Sequence, residues 1–360
     1  MAACLYITAP GSTVNGFSQE DRLSRTSATP SRPSRVLDGL RPNPGEIKLK
    51  LKRSCFPALD FLMPQQVPSS LKDDWWCSQM DEYAFLGFSY AVDACQDRST
   101  LSHDFKKMKR EYGARYIRLY SSCDKPDFND DLIEAAWDAG VGLHMLIWFG
   151  FDGDDLWKGR KEALIQSIKQ NPKGPHVVRA VVVGSEPMYD WVMPQEQLAD
   201  QVREVKSRLA DFTGRGDAGM QVTLSDMPYG FQLQGGAPDV FEAVDINQAN
   251  VLPFLDPTAG AAADSWHLVE NSYNYFAQRN KGKKVYFTQT GWPSDDAVWK
   301  ANSKGASANV DEEKAYFDLL DSRCEWMKAK NGGGVGWFAQ IYSDAMLPGW
   351  GVLDFNMKVS

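Results

Sequence analysis

No stretch of this chain is apolar for long enough to suggest a membrane-spanning helix. The best apolar runs, Val177–Val183 and Leu143–Gly150, have strand lengths, well short of the ~18 residues that suggest a span. Positive charge is in deficit: 39 Lys and Arg stand against 47 Asp and Glu, a net of −8. That balance argues against a nucleic-acid partner. No GxGxxG or GxxxxGK[ST] follows an apolar run, so nothing points to a nucleotide. The six cysteines (Cys4, Cys55, Cys77, Cys95, Cys123, Cys324) form no CxxC pair and no zinc-like cluster with His, so no metal and no cofactor is expected. Asn-x-Ser/Thr acceptors are lacking too, which leaves glycosylation silent on compartment. At the N-terminus a short apolar stretch has no positive residues before it and does not read as a secretory signal.

What the chain does have is apolar content of 43%, with aromatics at 12%. That is enough for a large core with rings left over for a binding surface. From Ala84 onward, β-branched or aromatic runs alternate with helical patterns. The expected strands are Ala84–Ala91, Tyr116–Tyr120, Gly142–Phe149, Val177–Gly184, Gln221–Ser225, Asp245–Leu252, Lys284–Gln289 and Gly334–Ile341. The expected helices are Leu101–Tyr112, Asp130–Ala139, Asp155–Gln170, Gln195–Phe212, a poor one over Asp239–Ala243, Ala263–Gln278 and Asp311–Lys330. Such alternation implies parallel βαβ units. Eight of them fit an α/β fold of the (β/α)8 TIM-barrel type, whose usual size is ~250 residues. An open doubly wound sheet is the alternative.

In a closed barrel, chemistry sits where strands end. The fourth strand ends Val183-Gly-Ser-Glu186-Pro187. A carboxylate so soon after three valines is unusual, and Pro187 stops the strand and fixes Glu186 at the rim. The bland reading, a helix N-cap, suffers because the next helix begins only after Met193-Pro194. Gln289 occupies the matching place on the seventh strand, in Thr288-Gln-Thr-Gly-Trp-Pro-Ser294. Other polar or aromatic residues expected near the strand ends are Tyr120, Trp148, Ser185, Ser225, Asp226, Asn247, Asn250, Trp292 and Tyr342. Any one of these aromatics alone is more often core. Several around one rim, with amides between them, suggest a sugar cleft, since sugar rings offer CH faces to aromatics and hydroxyls to amides.

The runs Gly87-Phe-Ser-Tyr90, Ile117-Arg-Leu-Tyr120, Val183-Gly-Ser-Glu186 and Thr290-Gly-Trp-Pro-Ser294 resemble, in order and spacing, the family 17 glycoside hydrolases. These are the β-1,3-glucanases and glucanosyltransferases of fungi and plants, and the resemblance is closest to fungal members. It covers about residues 84–345. It implies a (β/α)8 barrel, a β-glucan partner, an extracellular or cell-wall setting, and retaining hydrolysis by two carboxylates on strands four and seven. Retention needs the two carboxyls ~5 Å apart, one as acid/base and one as nucleophile. The acid/base maps onto Glu186. The nucleophile maps onto Gln289, where the family motif has Glu. A neutral amide cannot act as that nucleophile. It also removes the like-charge repulsion that would raise the pKa of Glu186, leaving burial as the remaining cause. If another carboxylate takes the role, Asp226 is nearest by strand order, with Asp295 and Asp296 next; loop solvation or turn formation is the plain reading of all three. The contrasting expectation is a glucan-binding protein that kept the groove and lost the chemistry.

Residues 1–54 differ in composition. They hold nine Lys and Arg against four Asp and Glu, a net of +5, which leaves −13 for the other 306 residues. Rich in Ser, Pro and Arg, this stretch is expected to be a disordered or processed segment or a misplaced start; Lys48–Arg53 supplies a dibasic protease target. Residues 55–83 are expected to pack on the barrel as an extension, and 84–360 to form the catalytic domain, acting as a monomer. Cys55 and Cys77 could pair with each other or with Cys324. Cys95 and Cys123, just past the first two strands, could join at the barrel mouth or remain ordinary buried thiols.

Overall fold

The computed structural model describes residues 54–359 apart from 151, 152 and 154; the expectations for residues 1–53 and for Lys48–Arg53 lie outside the described residues. Eight parallel strands form a closed barrel in chain order. They are β1 (Ala84–Ala91), β2 (Tyr116–Tyr120), β3 (Gly142–Ile147), β4 (Val178–Ser185), β5 (Gln221–Asp226), β6 (Asn247–Val251), β7 (Val285–Thr290) and β8 (Val335–Ala339). β8 pairs with β1 to close the ring. All eight are buried along their length, apart from single half-buried residues in β2 and β3. That is the reason they read as near-continuous apolar runs: a parallel sheet is covered on both faces.

The helices are α1 (Arg98–Tyr112), α2 (Phe128–Ala139), α3 (Leu156–Gln170), α4 (Gly174–Val177), α5 (Gln195–Arg208), α6 (Pro228–Leu233), α7 (Pro238–Ala243), α8 (Trp266–Ala277), α9 (Val310–Ser322) and α10 (Cys324–Lys328). Asp97 caps α1 by accepting from the Thr100 N–H at 2.8 Å, and Asn309 caps α9 through Glu312 N–H at 3.0 Å. Two sequence expectations change. The helical segment after β5 is a pair, split where Gly235 and Gly236 take positive φ. The long helix expected over 311–330 breaks at Arg323, whose N–H turns back to Leu320 O at 3.0 Å.

Inside, the barrel floor is polar. Glu82, from the segment before β1, is fully buried and accepts from the Tyr116 hydroxyl at 2.6 Å and the Arg179 Nε at 3.2 Å. The Tyr286 hydroxyl donates to its other oxygen. Burial pushes the Glu82 carboxyl up, but the charges of Arg179 and Lys284, with the two phenols, hold it below the ordinary value. The segment that delivers Glu82 is stapled by a Cys55–Cys77 disulfide, which resolves the pairing in favour of that alternative over Cys324. Its Phe56, Trp75 and Trp76 are buried, and the Arg179 guanidinium lies over Trp76 at 5.3 Å. At the other end, Cys95 and Cys123 are also disulfide-bonded, tying the loops after β1 and β2.

Candidate active site

One layer above the floor, side chains from five strands converge. Alternation along a strand carries the inward face from Tyr116 to Arg118 and from Gln248 to Asn250. Arg118 is fully buried, and its Nη2 donates to Ser185 Oγ at 2.8 Å and Ser225 Oγ at 2.9 Å. Desolvation pushes the guanidinium down to about 10 while the neighbouring Tyr120 and Glu186 pull it back up.

Glu186 follows β4 directly. Gly184 takes φ +92° and Glu186 itself φ +58°, a left-handed conformation that costs a non-glycine residue energy. The turn is held by the Glu186 N–H on Ser225 O at 2.7 Å and by the Asp190 N–H on Glu186 O at 2.9 Å. It aims the carboxylate across the mouth, where Asn250 Nδ2 donates to Oε1 at 2.8 Å. Burial raises the Glu186 pKa; Asn250 and Arg118 lower it and Asp190 raises it. Burial thus supplies the upward shift that the missing carboxylate partner would otherwise have given.

Gln289, 2% exposed, faces Glu186 from β7. Its amide orientation is assigned from its neighbours: one orientation gives a 3.4 Å contact of Nε2 with Ser185 Oγ, and the other satisfies both ends while bringing Nε2 within 3.1 Å of Asn250 Nδ2. With the oxygen toward Arg118 Nη1 at 2.9 Å, the NH2 donates to Glu186 Oε1 at 3.2 Å. The reverse would set NH2 against the guanidinium and carbonyl against carboxylate. A bulge between Phe287 and Thr290 in the β7–β8 register accompanies this inward turn. Tyr120 and Trp148, both half-buried, stand beside the pair with ring centroids 6.0 Å apart.

Four expected site residues, and the alternative carboxylates Asp295 and Asp296, are elsewhere. Asp226 neighbours the inward Ser225 and therefore points out of the barrel. It is fully buried; Oδ2 accepts from the Met188 and Tyr189 N–H groups at 2.8 and 3.3 Å, and Oδ1 from Met227 N–H at 2.8 Å. It braces the loop carrying Glu186 and does not face Gln289; burial pushes its carboxyl up to about 8 against those three donors. Asn247 opens β6 level with Val285, at the floor end, on the face opposite Gln248. Trp292 is fully buried between Phe254 and Tyr316, its indole N–H on Ser307 O at 2.8 Å. Tyr342 is fully buried against Phe88 and Tyr90. Asp295 accepts from the Ala297 N–H at 2.8 Å, a turn contact, and Asp296 is exposed in the same loop.

Sequence reasoning missed Arg118, although it lies inside the Ile117–Tyr120 run. It also missed three exposed aromatics on the mouth loops: Tyr189, Trp191 and Tyr229. Two of them follow Glu186 within five residues, which was the available signal. Trp191 and Asp190 line a cavity of about 720 Å³ shared with Phe149, Trp157 and Gln197.

A family match covers residues 87–345: the BtgE/BtgC glycoside hydrolase domain. The chain belongs to that family. It is 24% identical over 256 residues to a glucan 1,3-beta-glucosidase of Saccharomyces cerevisiae, covering 67% of this chain and 75% of that one. It is 24% identical over 252 residues to a glucan 1,3-beta-glucosidase of Arthroderma benhamiae, with the same coverage of 67% and 75%. Among solved structures, an active-site mutant of Rhizomucor miehei beta-1,3-glucanosyltransferase in complex with laminaritriose superposes with a TM-score of 0.62 at 20% identity, covering 79% of this chain and 97% of that one. An endo-laminarinase from Formosa reaches 0.56 at 13% identity, covering 75% and 83%. This barrel is therefore a glycoside hydrolase domain.

Proposed function

We propose that this glycoside hydrolase takes β-1,3-glucan at the C-terminal mouth of the barrel, with Glu186 as acid/base and Gln289 standing where a retaining enzyme has its nucleophile. The observation that carries the reading is the 3.2 Å contact of Gln289 with Glu186 over Arg118. A direct contact leaves no space for a water between the two groups, as in the close pair of retaining chemistry and unlike the ~6.5–9.5 Å carboxyl separation of an inverting pair. The names of the relatives support the substrate class. Tyr120 and Trp148 offer ring faces to sugar, and Asn250 and Ser185 offer polar contacts.

Gln289 cannot form the glycosyl-enzyme ester, so wild-type turnover is limited at that one atom. A Glu at 289 would meet Arg118 at the position of the present 2.9 Å contact. It would be held ionised while burial keeps Glu186 protonated more readily, which is the split a retaining pair needs. Gln289→Glu is therefore expected to raise reducing-sugar release from laminarin by ~10²-fold or more. Equal rates for wild type and variant would overturn the assignment of position 289.

The neutral amide also favours a second reading, a glucan-binding protein without turnover. Calorimetric binding of laminari-oligosaccharide by wild type, with no hydrolysis, is its signature. Both readings put the protein outside the cell or in a fungal wall, a setting supported by the disulfides Cys55–Cys77 and Cys95–Cys123 among the described residues and by the fungal relatives.

A further inference from the structure

Gln289 sits in an environment suited to hydrolysing its own side chain. Its carbonyl oxygen accepts from a fully buried guanidinium at 2.9 Å, and its NH2 lies 3.2 Å from a carboxylate oxygen of Glu186. A cation on the oxygen polarises the amide and would stabilise the oxyanion of a tetrahedral adduct. A carboxylate on the nitrogen side is placed to move a proton to the leaving group. Glu186 is half-buried at the mouth, which leaves water a route to the pair on that side, while Gln289 itself is 2% exposed. Asn250, the other amide on Glu186 Oε1, has Thr288 Oγ1 on its own oxygen at 3.1 Å and no cation there.

We propose that Gln289 is a self-processing site, converted by water to Glu with Arg118 and Glu186 as the catalytic groups. The proposal rests on position 289 being the nucleophile position of the reading above. Water oxygen bonds to Cδ of Gln289 as the C=O electron pair shifts onto the oxygen beside Arg118. The ionised Glu186 takes the proton of that water and hands it to Nε2. The C–N bond breaks, the carbonyl re-forms, and ammonia leaves, taking up the acid proton of position 289 as ammonium. Amide plus water becomes carboxylate plus ammonium, Glu186 is regenerated, and no oxidant or reductant is needed. Burial raises the Glu186 pKa, which makes its ionised form the stronger base toward the water proton. The chain as translated would then be a latent form, and the new carboxylate would fall directly on Arg118.

The test is peptide mass spectrometry of the purified full chain, sampled while it is incubated folded at neutral pH. The tryptic peptide 285–300 is expected to convert from amide to acid at Gln289, and in oxygen-18 water to take up one heavy oxygen. Laminarin hydrolysis should rise in step. Gln248 and Gln340, also buried but without this pair of partners, should stay amides. Glu186→Gln is expected to slow conversion by ~10²-fold, with Arg118→Lys as a second variant and melting curves to confirm that both fold. Folded wild type that stays amide at 289, or converts no faster than heat-unfolded chain, overturns the proposal. Activity of Gln289→Glu together with an unchanging wild-type mass would sink the self-processing and leave the proposed function standing.

Discussion

At the scale of single residues, the mouth depends on side chains whose partners are backbone groups. Asp226 is the clearest case, since its two oxygens accept three N–H groups from the segments that follow β4 and β5. An amide in its place has one acceptor oxygen, so its NH2 must face an N–H. Above about pH 8, where the carboxyl is ionised and both oxygens accept, Asp226→Asn is expected to cost about 1–3 kcal/mol, the price of a buried donor left unmatched. Urea unfolding should read that loss, and activity or binding should fall because the same loop carries Glu186. An unchanged midpoint would show that the carboxylate is not a brace. Glu186 and Gln289 stood out in the sequence because each ends a strand run, and Asn250 because it is a polar residue near the end of the sixth. Arg118 was not, because a charged residue between Ile117 and Leu119 runs against the usual exposure of arginine. Asp226 and Asn247 were misplaced for the converse reason: one step along a strand changes the face.

Among the elements, the barrel strands were readable to within two residues at either end because each is β-branched or aromatic and buried on both faces. The helices were less so. Nothing in the periodicity marks the break at Arg323, and the Gly235-Gly236 hinge lies inside a stretch of weak pattern. α9 carries a titration that the sequence hides. Glu313, 4% exposed, is pushed up from 4.5 to about 8 by burial, with Asp344 adding to the shift. A carboxyl with a folded pKa above its unfolded one favours the fold while protonated. That contribution is complete below the unfolded value and is lost as pH rises through the folded one. Between about 4.5 and 8 the wild type should therefore lose stability relative to Glu313→Gln. Urea midpoints across that range are expected to diverge in favour of the variant; parallel curves would mean the two pKa values coincide.

For the molecule as a whole, the two ends of the barrel divide the work. Glu82, Arg179, Tyr116 and Tyr286 close the floor with hydrogen bonds, and the Cys55–Cys77 staple holds the segment that supplies Glu82. The mouth gathers Arg118, Glu186, Asn250 and Gln289, and its loops expose Tyr189, Trp191 and Tyr229. This division has an optical consequence. Of the twelve indoles in the chain, Trp292, Trp337 and Trp350 are at most 2% exposed, whereas Trp191 is 61% exposed beside the site. Indoles screened from solvent emit toward the blue, so Trp191 contributes most at the red edge of the emission band, ahead of the half-buried Trp148, Trp266, Trp299 and Trp326. An oligosaccharide lying across the mouth should shift that edge to the blue while leaving the blue side of the band in place. Trp191→Phe should remove most of the response. The protein carries its own reporter of occupancy, and a titration in a fluorimeter can follow sugar binding whether or not a single bond is cut.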